Sequence, residues 1–207
     1  MKTRLSGVVV GVAIAIAATT ASACTRDYPA GANQPVPARV DQRLLDAVVR
    51  AEVNFERCRA GLRPLGAAQS ALVEVAAAHS RWMARSGQLS HRSGVAGKSS
   101  LTERIRSANV AARKGAENIG MVHRYRIDGK HFRIVDGGSC VFASQSGERL
   151  HAHSYASLAR HAVGLWMNSA GHRRNILDPG VTRVSTAAAF GEGRYCGQFW
   201  LTQNFVG

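Results

Sequence analysis

Apolar residues return every three or four positions at Leu44, Val48, Ala51, Phe55, Cys58 and Leu62, the spacing of one face of an α-helix. Asp41 stands ahead of this run as an N-cap, and Gly61 and Pro64 close it. The pattern predicts a helix ending near Arg59, with Cys58 on its buried face acting as a small hydrophobe. The stretch "AAQSALVEVAAAHSRWMARSG" repeats the spacing with Leu72, Val75, Ala76, Trp82 and Met83, and Gly87 ends it. A Gly/Ser-rich loop carrying His91 follows, and Ser100 with Glu103 forms a capping box that opens a short helix, "LTERIRSANV". Period-two alternation then takes over: Tyr125/Ile127 and Phe132/Ile134 flank Asp128-Gly129, which predicts a β-hairpin turning there. A further helix is expected over "YASLARHAVGLWMNS", and "VTRVSTAAAF" and "YCGQFWLTQNF" read as two antiparallel strands joined by a Gly-rich turn. Helices first, with strands interleaved and last, give an α+β class in which helices cover a small antiparallel sheet.

Two segments ahead of this domain break the periodicity. Lys2 and Arg4, an apolar run from Val8 to Ala18 and then Ala21-Ser22-Ala23 predict a secretory signal over residues 1-23. The run is short of the ~20 residues a membrane helix needs. Residues 24-40 hold three of the five prolines without periodicity and read as an extended linker. Cleavage after Ala23 would leave Cys24 first, and "ASAC" also satisfies the loose pattern ahead of a lipid-modified cysteine, although Ala21 stands where Leu is usual. A freely secreted protein and a lipoprotein anchored at Cys24 both fit, so the expected location is the cell envelope or outside. Cys140 and Cys196 lie in Gly-containing, strand-like stretches, and an oxidising compartment makes a bridge between them the expected pairing. That leaves Cys24 without a partner and adds weight to the anchor.

Charge narrows the partners. The formal balance is +14, and +12 once Lys2 and Arg4 are gone. A field of that sign draws anionic envelope polymers and phospholipid surfaces. The basic residues are scattered, and no helix-turn-helix, Cys/His finger or aromatic-basic platform is present, so specific nucleic-acid binding is not expected.

Four ordered stretches resemble the bacterial branch of the CAP superfamily, the domain of cysteine-rich secretory proteins, antigen 5 and plant pathogenesis-related 1 proteins. "VNFERCRAGLRPL" resembles its opening helix and "HSRWMARSGQLSH" its first histidine motif. "AENI" stands where the family has G-E-N-I, and "WMNSAGHRRNIL" with "TQNF" completes the set. Together they cover residues 41-207. The resemblance implies an α-β-α sandwich with a surface cleft carrying His91, Glu117 and His172, and with Asn118 and Ser169 at its margin. Ser169 stands where eukaryotic members often have a second Glu, and Ala116 replaces the Gly before Glu117. The separation of Asn118 from Trp166 exceeds that of a compact member and implies an inserted hairpin at about 124-148.

Two neutral imidazoles can hold Zn²⁺ or another divalent cation, and a carboxylate can serve as a third ligand or orient bound water. With His91 and His172 as the metal residues, binding is expected to be weak and exchangeable. Glu117 is the candidate general base of a metal-assisted hydrolase, although no H-E-x-x-H helix is present and catalytic zinc normally takes three protein ligands. Structural roles stand beside these: Glu117 could hold a loop, and Asn118 and Asn175 read as tight-turn residues. His79 reads as a hydrogen-bonded packing residue, and His151 and His153 as part of an exposed loop. The first functional expectation is a monomeric, non-enzymatic envelope module for a lipid-like ligand, since the family's relatives are associated with lipid binding. A peptidase-like hydrolase and a wall-binding module acting through its basic surface are the alternatives.

Overall fold

The computed structural model describes residues 24–207, so the expected signal segment lies outside the described residues. Asp41 caps α1 (Gln42–Arg59) by accepting from the amides of Arg43 and Leu44. A two-residue strand β1 (Gly66–Ala67) leads to α2 (Ser70–Ser86), which stops where Gly87 turns left-handed at φ 67°. The Ser100/Glu103 capping box opens α3 (Leu101–Ser107) as expected. Then follow β2 (Gly115–His123), β3 (Phe132–Asp136), β4 (Val141–Ser144) and β5 (Arg149–Leu150). The chain finishes with α4 (Tyr155–Asn168), α5 (Ala170–Ile176), β6 (Arg183–Gly191), a 3₁₀ turn and β7 (Gln198–Val206).

The main sheet runs β1-β6-β7-β2, antiparallel except for β1, which pairs parallel with β6. Alternation along β7 sorts the two faces. Phe199, Leu201 and Phe205 point to α1 and α4, where they join Val48, Val49, Leu158 and Val163 in the largest apolar cluster. Trp200 packs with Met83 of α2, and Thr202 bonds Ser80 on the same helix. Ala76, Ala77 and Ala187 meet between α2 and β6, and their small side chains let the helix lie close to the strand. Helices therefore cover both faces, α2 and α3 on one and α1, α4 and α5 on the other, which gives the expected α-β-α layering.

Three expectations are corrected. The hairpin does not fold at Asp128-Gly129: that turn forms, but Tyr125 bridges Ala152, and β3 pairs with β4 across the later Gly137-Gly138 turn. Asp128 Oδ2 accepts instead from the His123 amide at 2.9 Å, which directs the chain away from pairing at once. Residues 24–40 are no tether. Ala32 and Val36 are buried, and the carbonyls of Gln34 and Ala32 accept from the first amides of α4, Tyr155 and Ala156, at 3.2 and 2.7 Å. Cys58 is exposed, because α1 buries the neighbouring stripe Leu45, Val48, Val49 and Val53. It pairs with Cys24. A sulfur in that bond cannot carry a thioether, so the reasoning that left Cys24 for a lipid falls away. Arg26 clamps the same strap by bonding Glu52 at 2.8 Å and lying 3.4 Å over the Phe55 ring.

Cys140 and Cys196 are bonded, as expected. Their bridge ties the small β3-β4-β5 sheet to the turn between β6 and β7, and Ile127, Phe142 and Leu150 form a satellite core under it.

Candidate functional site

Strand β2 ends the main sheet, so its outward carbonyls need partners other than a neighbouring strand. Trp166 Nε1 donates to the Ile119 carbonyl at 2.9 Å, and Asn175 Nδ2 donates to that of Glu117 at 3.1 Å. The indole lies so close that a β-carbon at Gly120 would sit 3.2 Å from its nitrogen. Asn118 lies mid-strand rather than in a turn, fully buried, accepting from Asn175 at 2.9 Å and donating to Gln203 and to the His172 carbonyl. It holds α5 against the sheet and does not line a cleft. Arg57 secures the far end of α5 by donating to the carbonyls of Ile176 and Asp178 at 2.7 and 2.9 Å. His172 is thus presented at the sheet edge from a helix fixed at both ends.

The opposite face of β2 supplies the second half. Glu117 projects towards α3 and is 3% exposed. Arg104 Nη2 donates to both its oxygens, at 2.8 and 2.6 Å. A carboxylate and guanidinium buried together in direct hydrogen-bonded contact are a tolerable way to carry charge inside a protein. Arg104 also donates to the carbonyls of Ser99 and His91, so it fixes the loop that carries the first histidine. His91 Nδ1 lies 2.9 Å from Glu117 Oε1, and its ring is 54% exposed. His79 Nε2 meets the Ser90 carbonyl at 3.0 Å while its ring stacks on Trp82, which anchors the approach to His91. Burial, and secondarily the Arg104 charge, lowers the His79 pKa.

The two histidines meet across the edge of β2 with ring centroids 6.5 Å apart. Burial, and after it the His91 ring, lowers the pKa of His172 and favours its neutral, ligating form. Ser169 joins α4 to α5, half-buried, and its side chain makes no capping bond. Ala116 has no left-handed φ, so the strand needs no glycine there.

Sequence reasoning missed Arg104. The signal was present: Leu101, Arg104, Ile105 and Ala108 share one side of α3, and a cation on that side of a buried helix needs a buried anion.

The family model described as the cysteine-rich secretory protein family, CAP, matches residues 50–205. The chain belongs to that family. The CAP domain is similar in fold to an extracellular protein containing an SCP domain from Bacillus anthracis, with 22% identity and a TM-score of 0.52 over 82% of this chain. That alignment spans only 42% of the Bacillus protein. It is also similar to an outer surface protein of Borrelia burgdorferi, with 11% identity and a TM-score of 0.51, covering 77% of this chain and 90% of that one. No curated protein matches the chain.

Chemically, the edge of β2 in this CAP domain offers two imidazoles and one carboxylate already committed to a guanidinium. Imidazoles sharing a tetrahedral zinc through ~2 Å bonds have centroids ~5 Å apart. The exposed His91 ring would have to turn towards His172 to reach that spacing. Among the described residues no three His, Cys, Asp or Glu are arranged to hold a metal. The donor set fits an exchangeable two-nitrogen contact and not a closed structural site. A divalent ion held there would supply Lewis acidity to a bound ligand. Glu117 engages His91 at Nδ1 and leaves Nε2, on a ring that is about half exposed, outside that bond.

Proposed function

We propose that this CAP protein works outside the cytoplasmic membrane as a binding module for a lipid-like or other envelope ligand. In this reading His91 and His172 form a weak, exchangeable divalent-metal contact at the cleft. The carrying observation is the pairing of Glu117 with Arg104 at 2.6 and 2.8 Å. A general base must reach a water or substrate proton, and Glu117 is 3% exposed with both oxygens held against a buried cation. That favours binding over hydrolysis, with Glu117 as a positioning residue. Two disulfides, the secretory-type leader and similarity to extracellular and outer-surface proteins support the location.

Zinc titration by calorimetry, comparing the wild type with His91→Ala/His172→Ala, tests the site. The expected result is weak binding that the double substitution abolishes and that Glu117→Gln reduces only in part. Equal heats from all three proteins would remove the metal contact. Metal-dependent turnover of a peptide library that Glu117→Gln eliminates would replace the binding reading with the hydrolase.

A further inference from the structure

The insertion and α4 border a concavity of about 360 Å³ whose lining includes none of His91, Glu117 and His172. His153 lines it and is 3% exposed, which departs from the exposed loop expected for it. Its Nδ1 lies 3.0 Å from Ser157 Oγ, but its buried Nε2 has no partner. The Nε2 of His161 is likewise buried and unpaired, with the two rings 5.6 Å apart. Buried polar atoms without partners are rare in folded proteins, and two on neighbouring residues that line one cavity call for a ligand. Arg126, Lys130 and Arg160 stand exposed around the mouth.

The one acid in the wall, Asp128, is already engaged by hydrogen bonds. Its Oδ1 meets His123 Nδ1 at 2.5 Å, and its Oδ2 accepts from the His123 amide and lies 3.8 Å from His161 Nε2. Three permanent cations against one engaged carboxylate leave a positive field, which repels a metal ion and draws an anion. We propose that this cavity binds a phosphate group, free or as a monoester, with His153 and His161 on its inner oxygens and Arg126, Lys130 and Arg160 on its outer ones. Asp128 confers the choice among anions. Inorganic phosphate keeps a P–OH in both its neutral-pH forms and a monoester keeps one in its monoanion, so either can donate that proton to the second lone pair of Oδ2, whereas sulfate and phosphodiesters at neutral pH have no proton to give and would meet a bare carboxylate. Burial, and then the His161 ring, lowers the His153 pKa to about 4, so the free protein presents a neutral ring that can donate to a bound anion.

The test uses the mature protein with disulfides intact, in an anion-poor buffer at constant ionic strength. Inorganic phosphate, glycerol 3-phosphate and sulfate are titrated separately while the imidazole nitrogens are followed by NMR. Saturable shifts of His153 and His161 with phosphate or its ester, and an affinity for sulfate about tenfold or more lower, are expected, corresponding to one lost charge-assisted bond. Whichever phosphate compound binds more tightly identifies the form taken. Arg160→Ala and Lys130→Ala alter exposed side chains, and each should weaken phosphate about tenfold with the His91 and His172 signals unmoved. Shifts that never saturate, equal affinities for phosphate and sulfate, or no effect of either substitution would overturn the proposal.

Discussion

Arg104→Met tests the arrangement beneath the cleft. The substitution keeps the side chain's length and apolar stem but removes a cation that is 1% exposed from a carboxylate that is 3% exposed. Two unit charges about 4 Å apart interact by ~4 kcal/mol at an effective dielectric of 20, and deleting one partner of a buried pair typically costs about 3–5 kcal/mol. The bonds from Arg104 to the carbonyls of Ser99 and His91 are lost as well. A destabilisation of about 4 kcal/mol is expected, and for a chain of this size that lowers Tm by on the order of 10 °C. Urea unfolding with both disulfides intact, followed by tryptophan fluorescence, measures it. Glu117→Gln in the same background removes the stranded charge, so Arg104→Met/Glu117→Gln should recover at least about half of the loss, which sets a coupling of at least about 2 kcal/mol before the cost of Glu117→Gln alone is added. A single-variant cost below about 1 kcal/mol, or a double variant that equals the sum of the singles, would refute the idea that Glu117 is held by Arg104 as a buried pair.

Other expectations are more local. Intact-mass measurement of the exported protein should show no free thiol and no acyl addition at Cys24, and losing the Cys24–Cys58 bond through Cys58→Ser should cost about 3–4 kcal/mol for its 34-residue separation. A lipid-sized mass increment on Cys24 would contradict that pairing. The folded-state pKa of His153, about 4, lies below its ordinary 6.5, so the unfolded chain takes up the proton first. Stability is therefore full above pH ~6.5 and falls by about 3 kcal/mol as the pH drops to 4, a slope that His153→Phe should remove in chemical-denaturation curves recorded at several pH values. Asn175→Ala strips donors from the Glu117 carbonyl and Asn118 Oδ1 and should cost about 2 kcal/mol in thermal melts, while Asn175→Ser should recover part of it.

The sequence reveals the layers more readily than the contacts between them. Periodicity and capping chemistry located α1 to α4, because Asp41, Gly87 and the Ser100/Glu103 box act within a few residues of themselves, but not the one-motif helix α5 or the edge strand β2. The strands β6 and β7 were visible as paired apolar runs with a turn between them. What failed depended on long-range choice. The first helix has apolar residues around more than half its circumference, and only packing against β6 and α4 decides that Leu45 and Val53 go inside while Cys58 faces out to Cys24. Residues 24–40 look solvated by composition, yet their carbonyls are the caps that α4 uses. For the candidate site, family motifs placed His91, Glu117 and His172, and the structure sets these three about the edge of β2. The motifs were silent on Arg104, which lies on a helix outside every family motif and shows itself only as a charge on an apolar face.

The closing bonds along β2 also govern how the domain can meet other proteins. An open edge strand invites extended peptides or further copies to add on as extra strands. Here Trp166 and Asn175 occupy the carbonyls of Ile119 and Glu117 that such a strand would need, and the other edge of the sheet is the two-residue β1. Growth by strand addition is blocked where the sheet comes nearest its candidate site. A protein partner arriving there must be recognised through side chains and loops, which leaves the sheet a rigid frame for the cleft instead of a docking surface.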